Sequence, residues 1–139
     1  MRQVQKSIQV HTRGRGLTEI TRQVAEAVAE AGIGLGLCHV FVQHTSASLV
    51  LQENADPSAR SDVETFFDSL VPDGGAPYTH TTEGLDDMPA HLRTALTSTS
   101  ELIPIAHGRL QLGRWQGLYL FEHRRRSAVR HLIVHVWGE

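Results

Sequence analysis

Between Gly36 and His44 the chain is apolar at Leu37, Cys38, Val40, Phe41 and Val42, a near-continuous run with a glycine before it and polar residues after it. Such a run reads as a central strand covered on both faces, which requires a packed layer on each side. The segment before it supplies one layer. Ile20, Val24, Ala27, Val28 and Ala31 recur at helical spacing, with Thr18 placed to cap the helix and Gly32 to stop it. Further upstream, Val4, Ile8 and Val10 share one parity against Gln5, Ser7 and Gln9, which predicts a half-buried strand over 4–11 ended by Gly14 and Gly16.

After the central run, a second strand is expected over 48–52. Asp56 then caps a helix whose first residue is Pro57 and whose buried stripe is Val63, Phe66, Phe67 and Leu70, with Pro72-Asp73-Gly74-Gly75 as the closing turn. A short helix begins near Pro89 and runs to about Leu96 or Thr97. Strands over 102–106, 109–112, 118–122 and 129–137 are separated by His107-Gly108, Gly113-Arg114 and Arg124-Arg125-Arg126-Ser127, the spacing of antiparallel hairpins. The 139 residues, 40% of them hydrophobic, suffice for one core. The expected fold is a single α+β domain, an antiparallel, sandwich-like sheet with packed helices.

Composition excludes several function classes. A net charge of −2 and an aromatic content of 6% provide neither the electrostatic drive nor the stacking platforms of a nucleic-acid binder. The single cysteine, Cys38, rules out an intrachain disulfide and an all-cysteine zinc site, and reads as a buried, inert thiol. No segment approaches membrane-spanning length and the first residues lack a secretory apolar run, so a cytoplasmic location without membrane contact is expected. Gly32-Ile33-Gly34-Leu35-Gly36 precedes a strand instead of joining a strand to a helix, so it is not a nucleotide loop. A Ser–His hydrolase has no support: no Gly-x-Ser-x-Gly elbow is present, and His44 is too close in sequence to Ser46 and Ser48 to imply a productive bond.

The stretch His80-Thr-Thr-Glu-Gly-Leu-Asp-Asp-Met-Pro-Ala-His91 gathers two imidazoles and three carboxylates at a helix start. Pro89 suits a first helical position, Asp86 and Asp87 stand upstream as caps or first-turn dipole partners, and His91 falls in the opening turn, where the helix dipole favours the neutral ring that a ligand or base requires. The set reads either as a metal or acid–base site or as helix caps with surface histidines. A second polar group, Gln43-His44-Thr45-Ser46-Ala47-Ser48, leaves the central strand and is matched by Glu53-Asn54-Ala55-Asp56 after the next one. Both read either as a pocket floor or as residues satisfying strand ends. His131 and His135 share strand parity but lie roughly 13 Å apart, too far to share one ion unaided. Arg124-Arg125-Arg126, beside His123, reads either as a phosphate contact or as a solvated hairpin turn, Trp115 and Trp137 as core or interface residues, and Glu122 as a strand-end residue that projects toward the site.

His44-Thr-Ser-Ala-Ser-Leu49, Glu53-Asn-Ala-Asp-Pro57, Glu83-Gly-Leu-Asp-Asp-Met-Pro-Ala-His91, Pro104-Ile105, Gly108-Arg-Leu-Gln-Leu-Gly113, Trp115-Gln116 and Glu122-His123 follow one another in an order that resembles the YjbQ-type family. Members of that family are described as secondary thiamine-phosphate synthases. The resemblance implies an α+β sandwich assembled as a homotrimer, with a polar histidine site near the subunit interface. The chain departs from the family pattern at Thr81, where asparagine is usual after the histidine, and at Arg114, where threonine is common before the tryptophan. The implied reaction joins a hydroxymethylpyrimidine diphosphate to a thiazole phosphate with loss of pyrophosphate, so a small phosphorylated metabolite is the expected partner and a divalent ion, zinc or magnesium, the expected cofactor. His44, His80 and His91 are then the metal ligands, with His91, Asp86 and Asp87 catalytic. Ser46, Ser48, Glu53, Asn54 and Glu122 position the substrate. Metal-assisted phosphate-ester hydrolysis and non-catalytic binding of a metabolite or metal are the competing functions.

Overall fold

In the computed structural model, which describes residues 1–74 and 76–139, the chain runs β1 (Arg2–His11), β2 (Gly16–Glu19), α1 (Thr21–Ala31), β3 (Gly36–Val42), β4 (Ala47–Glu53), α2 (Pro57–Leu70), α3 (Asp87–Leu96), β5 (Ser100–Ala106), β6 (Arg109–Leu110), β7 (Gln116–Glu122) and β8 (Val129–Gly138). The strands form two antiparallel sheets, one of five strands in the order β1-β8-β3-β5-β6 and one of three in the order β2-β7-β4. The expected α+β class with antiparallel sheets and packed helices is what the chain adopts.

The main core lies between the sheets and under α1. It is built from alternate residues of the large sheet (Cys38, Val40, Val42, Leu132, Val134, Val136), the inner residues of the small sheet (Leu49, Leu118, Leu120) and the α1 stripe (Val24, Ala27, Val28, Ala31). Opposite faces of β7 serve different clusters: Tyr119 and Phe121 point away from this core and pack with Leu17 against Val63 and Phe67 of α2. The doubly covered strand is therefore β7, buried from Gly117 to Glu122, and not β3. On β3, Cys38, Val40 and Val42 are buried while Phe41 on the other face is 43% exposed.

Several local expectations shift. Thr18 does not cap α1; it lies in β2 opposite Leu120, and the helix starts at Thr21 after Ile20, whose side chain joins the core. Gly32 does end α1, at φ 66 in the left-handed region that glycine tolerates. Asp56 caps α2 by accepting from the Ser58 N–H at 2.9 Å, with Pro57 following it. Only half of the predicted α2 stripe packs, since Phe66 and Leu70 are 60% and 52% exposed. The turn expected at Pro72–Gly75 falls partly on Gly75, outside the described residues.

The four C-terminal strands are also not consecutive hairpins. β5 and β6 pair, but β7 sits between β2 and β4 while β8 sits between β1 and β3. The β7–β8 connection therefore crosses from one sheet to the other and brings Arg124 and Arg125 beside the start of α3. Gly36 and Gly138 face each other across the β3–β8 pair, where a Cβ on Gly36 would stand 2.0 Å from the Trp137 carbonyl oxygen. Among the described residues no helix is long and apolar enough to cross a membrane.

Candidate metal centre

Asp87, the first residue of α3, is buried and central. Its Oδ2 lies 2.6 Å from His80 Nε2 and 3.1 Å from His91 Nε2, one helical turn on. Glu83 Oε2 approaches the same His80 nitrogen at 3.4 Å, and one donor atom from each of His80, Glu83, Asp87 and His91 lies within 4.8 Å of all the others. The tautomer of His91 is set by its far side: Nδ1 sits 2.8 Å from the carbonyl oxygen of Thr45, which can only accept, so Nδ1 carries the proton. A neutral His91 ring therefore turns a lone pair toward a carboxylate oxygen, an arrangement that calls for a cation or a proton between them. A carbonyl orienting a ring whose other nitrogen faces the donor group is the usual outer support of a metal-binding histidine.

Arg124 completes the frame. Its Nη1 donates to Asp87 Oδ1 at 2.7 Å and its Nε to Asp86 Oδ2 at 3.1 Å, while Nη2 donates to the Glu83 carbonyl at 2.9 Å. One oxygen of Asp87 is thus held by the guanidinium and the other is left to the imidazoles. Burial pushes the Asp87 carboxyl up, but contacts from His80 and Glu83 and the charges of His91 and Arg124 outweigh it and hold it below the ordinary carboxylate range. For Asp86 burial also acts upward, yet the hydrogen bonds from the Arg124 side chain and the Arg125 backbone N–H, with the Arg124 charge, bring it down to about 2. So held, Asp86 is a poor base and orients Arg124. Asp86 stands at the N-cap position without a side-chain cap bond and Asp87 is the acidic residue of the first turn, but Pro89 is third in the helix and not first, and His91 is fifth, just past the opening turn.

Other residues expected at the site lie elsewhere. His44 is absent from the donor group because its Nε2 accepts from the His131 backbone N–H at 2.8 Å, which occupies the lone pair a metal would need; its ring stacks on that of His131. Burial and the nearby Arg130 charge favour its neutral form. Ser46 accepts from Arg130 Nη2 at 3.0 Å through its hydroxyl. Ser48 is fully buried, 2.8 Å from His123 Nε2. Glu122, also fully buried, accepts from Arg130 Nε at 2.6 Å, Thr12 Oγ1 at 3.0 Å and the Arg124 N–H at 3.0 Å, so it braces the site from behind and does not face a ligand. Glu53 and Asn54 sit at the opposite end of β4 from Ser46, roughly 20 Å away by strand rise. There Glu53 accepts from the Asp56 N–H at 3.0 Å and Asn54 donates to Glu19 at 3.1 Å.

Two nitrogen donors and two carboxylates suit zinc better than magnesium, which prefers all-oxygen shells. Donors around a tetrahedral zinc lie roughly 3.3 Å apart. The His91–Asp87 and His80–Glu83 separations of 3.1 and 3.4 Å match that spacing, while the 2.6 Å His80–Asp87 contact would have to open. Sequence reasoning missed Glu83 as a donor, Thr45 as the ring's anchor and Arg124 as the clamp. For Arg124 a signal was available, because three carboxylates crowded at one helix start require a cation.

The sequence profile of the family described as UPF0047 protein YjbQ-like matches residues 6–139. A UPF0047 protein of Synechocystis is 54% identical over 138 residues, covering 99% of this chain and 94% of its own length. The UPF0047 protein YjbQ of Escherichia coli O157:H7 is 42% identical, with 97% and 98% covered. Among solved structures, a YbjQ-like protein of unknown function from Sulfolobus solfataricus superposes with a TM-score of 0.86 at 25% identity, over 99% of this chain and 100% of that one. An uncharacterised YjbQ/UPF0047 protein of Clostridium acetobutylicum gives 0.84 at 33%, over 96% and 99%. With the profile spanning nearly every residue and the fold shared throughout, the chain belongs to the UPF0047, YjbQ-like family.

Proposed function

We propose that the chain is a metal-assisted enzyme acting on a small phosphorylated molecule, with Asp87, His80 and His91 as its centre and Glu83 as a fourth donor. The observation that carries this reading is the convergence of both Nε2 atoms on Asp87 Oδ2 while Thr45 fixes the His91 proton on the opposite nitrogen. A divalent ion held there would polarise a phosphoryl oxygen and offset charge on a departing phosphate or diphosphate. The chain's own residues supply orientation: Arg124 fixes the carboxylate, Thr45 the ring, and Asp86 the guanidinium.

In its finer form the reaction is of the thiamine-phosphate synthase type, in which a thiazole phosphate displaces pyrophosphate from a pyrimidine diphosphate. The resemblance of the motifs supports this form, and the neutralising centre suits its leaving group. Hydrolysis of a phosphate ester is the second reading, favoured by the 44% exposure of the His80 side chain, which leaves the centre open to water. Incubating zinc-loaded and chelator-treated protein with both thiamine precursors, and separately with simple phosphate esters, separates the two. Thiamine phosphate with equimolar pyrophosphate selects transfer, and phosphate from one ester selects hydrolysis. Saturable binding without metal-dependent product would reduce the chain to a binding module.

A further inference from the structure

A cleft of about 790 Å³ opens beside Arg125, the residue that follows Arg124. It is lined by Arg13 and Arg15 of the β1–β2 connection, by Glu64 and Asp68 of α2, and by Arg93 and Arg125. Arg15 is fully engaged, giving Nη1 and Nη2 to Asp73 at 3.0 and 2.8 Å and Nε to the His123 carbonyl at 3.0 Å. Arg125 contacts Asp73 through Nε alone, so its two terminal nitrogens have no acceptor among the described residues. Arg13 is exposed and likewise finds none there.

Arg93 is the decisive group. Its side chain, 1% exposed, lines the cleft and donates through Nη2 to the Val71 carbonyl at 2.9 Å and to Asp68 at 3.3 Å, while Nε and Nη1 have no partner among the described residues. A buried guanidinium with two nitrogens lacking acceptors is costly unless an anion comes to it. Guanidinium forks suit phosphate oxygens, which accept two N–H groups at once.

We propose that this cleft is a phosphate-binding subsite, the anionic group lying among Arg13, Arg93 and Arg125 while Asp73 holds Arg15 and Arg125 in place. It rests on the reading above only in taking the bound molecule to be the phosphorylated substrate. Both α2 carboxylates of the lining are already engaged, Glu64 by the Leu17 N–H at 2.8 Å and Asp68 by Arg93 Nη2 at 3.3 Å, so the groups left to meet a ligand are N–H donors of the arginines. Arg124 and Arg125 are adjacent in the chain, one holding Asp87 of the donor cluster and the other lining the cleft.

The test is calorimetric titration of the full chain, stripped with chelator, against inorganic pyrophosphate at low ionic strength, where charge contacts are least screened. Saturable binding of one pyrophosphate per chain is expected, weakened tenfold or more in the Arg13→Ala, Arg125→Ala double variant. A control pair, Lys6→Ala with Arg22→Ala, removes the same net charge elsewhere and should bind within twofold of the parent. Both variant pairs change exposed side chains, and circular dichroism checks that they fold. No saturable binding by the parent, or equal weakening in both pairs, overturns the subsite. Loss of zinc binding with the arginine effect intact would overturn the metal reading alone.

Discussion

The ring of His91 donates its Nδ1 proton to the Thr45 carbonyl oxygen at 2.8 Å, joining α3 to the segment that leaves β3 for β4. This bond leaves Nε2 free for a metal. Zinc should bind one per chain, and a saturating concentration, about 100 times Kd, should contribute about 2.7 kcal/mol and raise Tm by roughly 5–10 °C. His91→Ala and Asp87→Asn should each abolish that rise, as differential scanning calorimetry with and without chelator would reveal. An undiminished zinc shift in His91→Ala would remove this histidine from the centre.

Glu122 and Arg130 form a buried ion pair behind the site, and Thr12 and the Arg124 N–H complete the carboxylate's partners. Glu122→Ala strands the guanidinium and should cost about 3–5 kcal/mol in urea unfolding. A loss below about 1 kcal/mol would mean that Arg130 finds solvent when its partner goes.

His123 should make stability fall on mild acidification. Burial, reinforced by the charges of Arg93, Arg15 and Arg130, pushes its ring down to about 3 from the ordinary 6.5. The folded pKa is depressed, so between those values the unfolded chain takes up a proton that the folded chain refuses. The contribution is whole above pH 6.5 and declines below it by up to about 1.4 kcal/mol per pH unit. Denaturant titrations from pH 7 to pH 4 should show a shallower decline for His123→Leu than for the parent; equal slopes would contradict the assignment.

The outer face of the five-stranded sheet presents Leu37, Phe41, Leu102, Ile133 and Trp137, with the His39–His135 pair between Leu37–Trp137 and Phe41–Ile133 and with Phe41 and Leu102 43% and 54% exposed. Apolar side chains exposed on one sheet face suit an interface, and the resemblance to the family supplies the number three. Sedimentation equilibrium at micromolar concentration should return three chains, and Phe41→Glu should shift the population toward smaller species. A parent that sediments as one chain would refute it.

What the sequence revealed follows the range of the forces involved. The α1 stripe and the Asp56 cap were legible because they depend on neighbours within four residues. His80 and His91 were legible as ligands because they stand in one short polar stretch, whereas Asp87 was read as a catalytic group and the structure puts it among the candidate donors. β2 was not legible, because Ile20 extends the helical spacing of α1 backward and masks four residues of strand. The separation of β7 from β8 into different sheets was also hidden: the residues of their connection carry the same turn chemistry whether the chain doubles back or crosses over. Because Arg124 reaches Asp87 only through that crossing, the crowded carboxylates called for a cation without saying which one, and His44 lost its place as a ligand to a backbone N–H presented by β8.

The four donors fall between positions 80 and 91, whereas the carbonyl that aims His91 lies 46 positions away and the guanidinium that clamps Asp87 lies 37 away. Gathering the donors closes a short loop at little entropic cost, while their final orientation waits on strands as distant in sequence as β1 and β8. The donor set is therefore local in the chain while its shape is not, so a change in the β7–β8 connection can spoil the arrangement without touching a single donor.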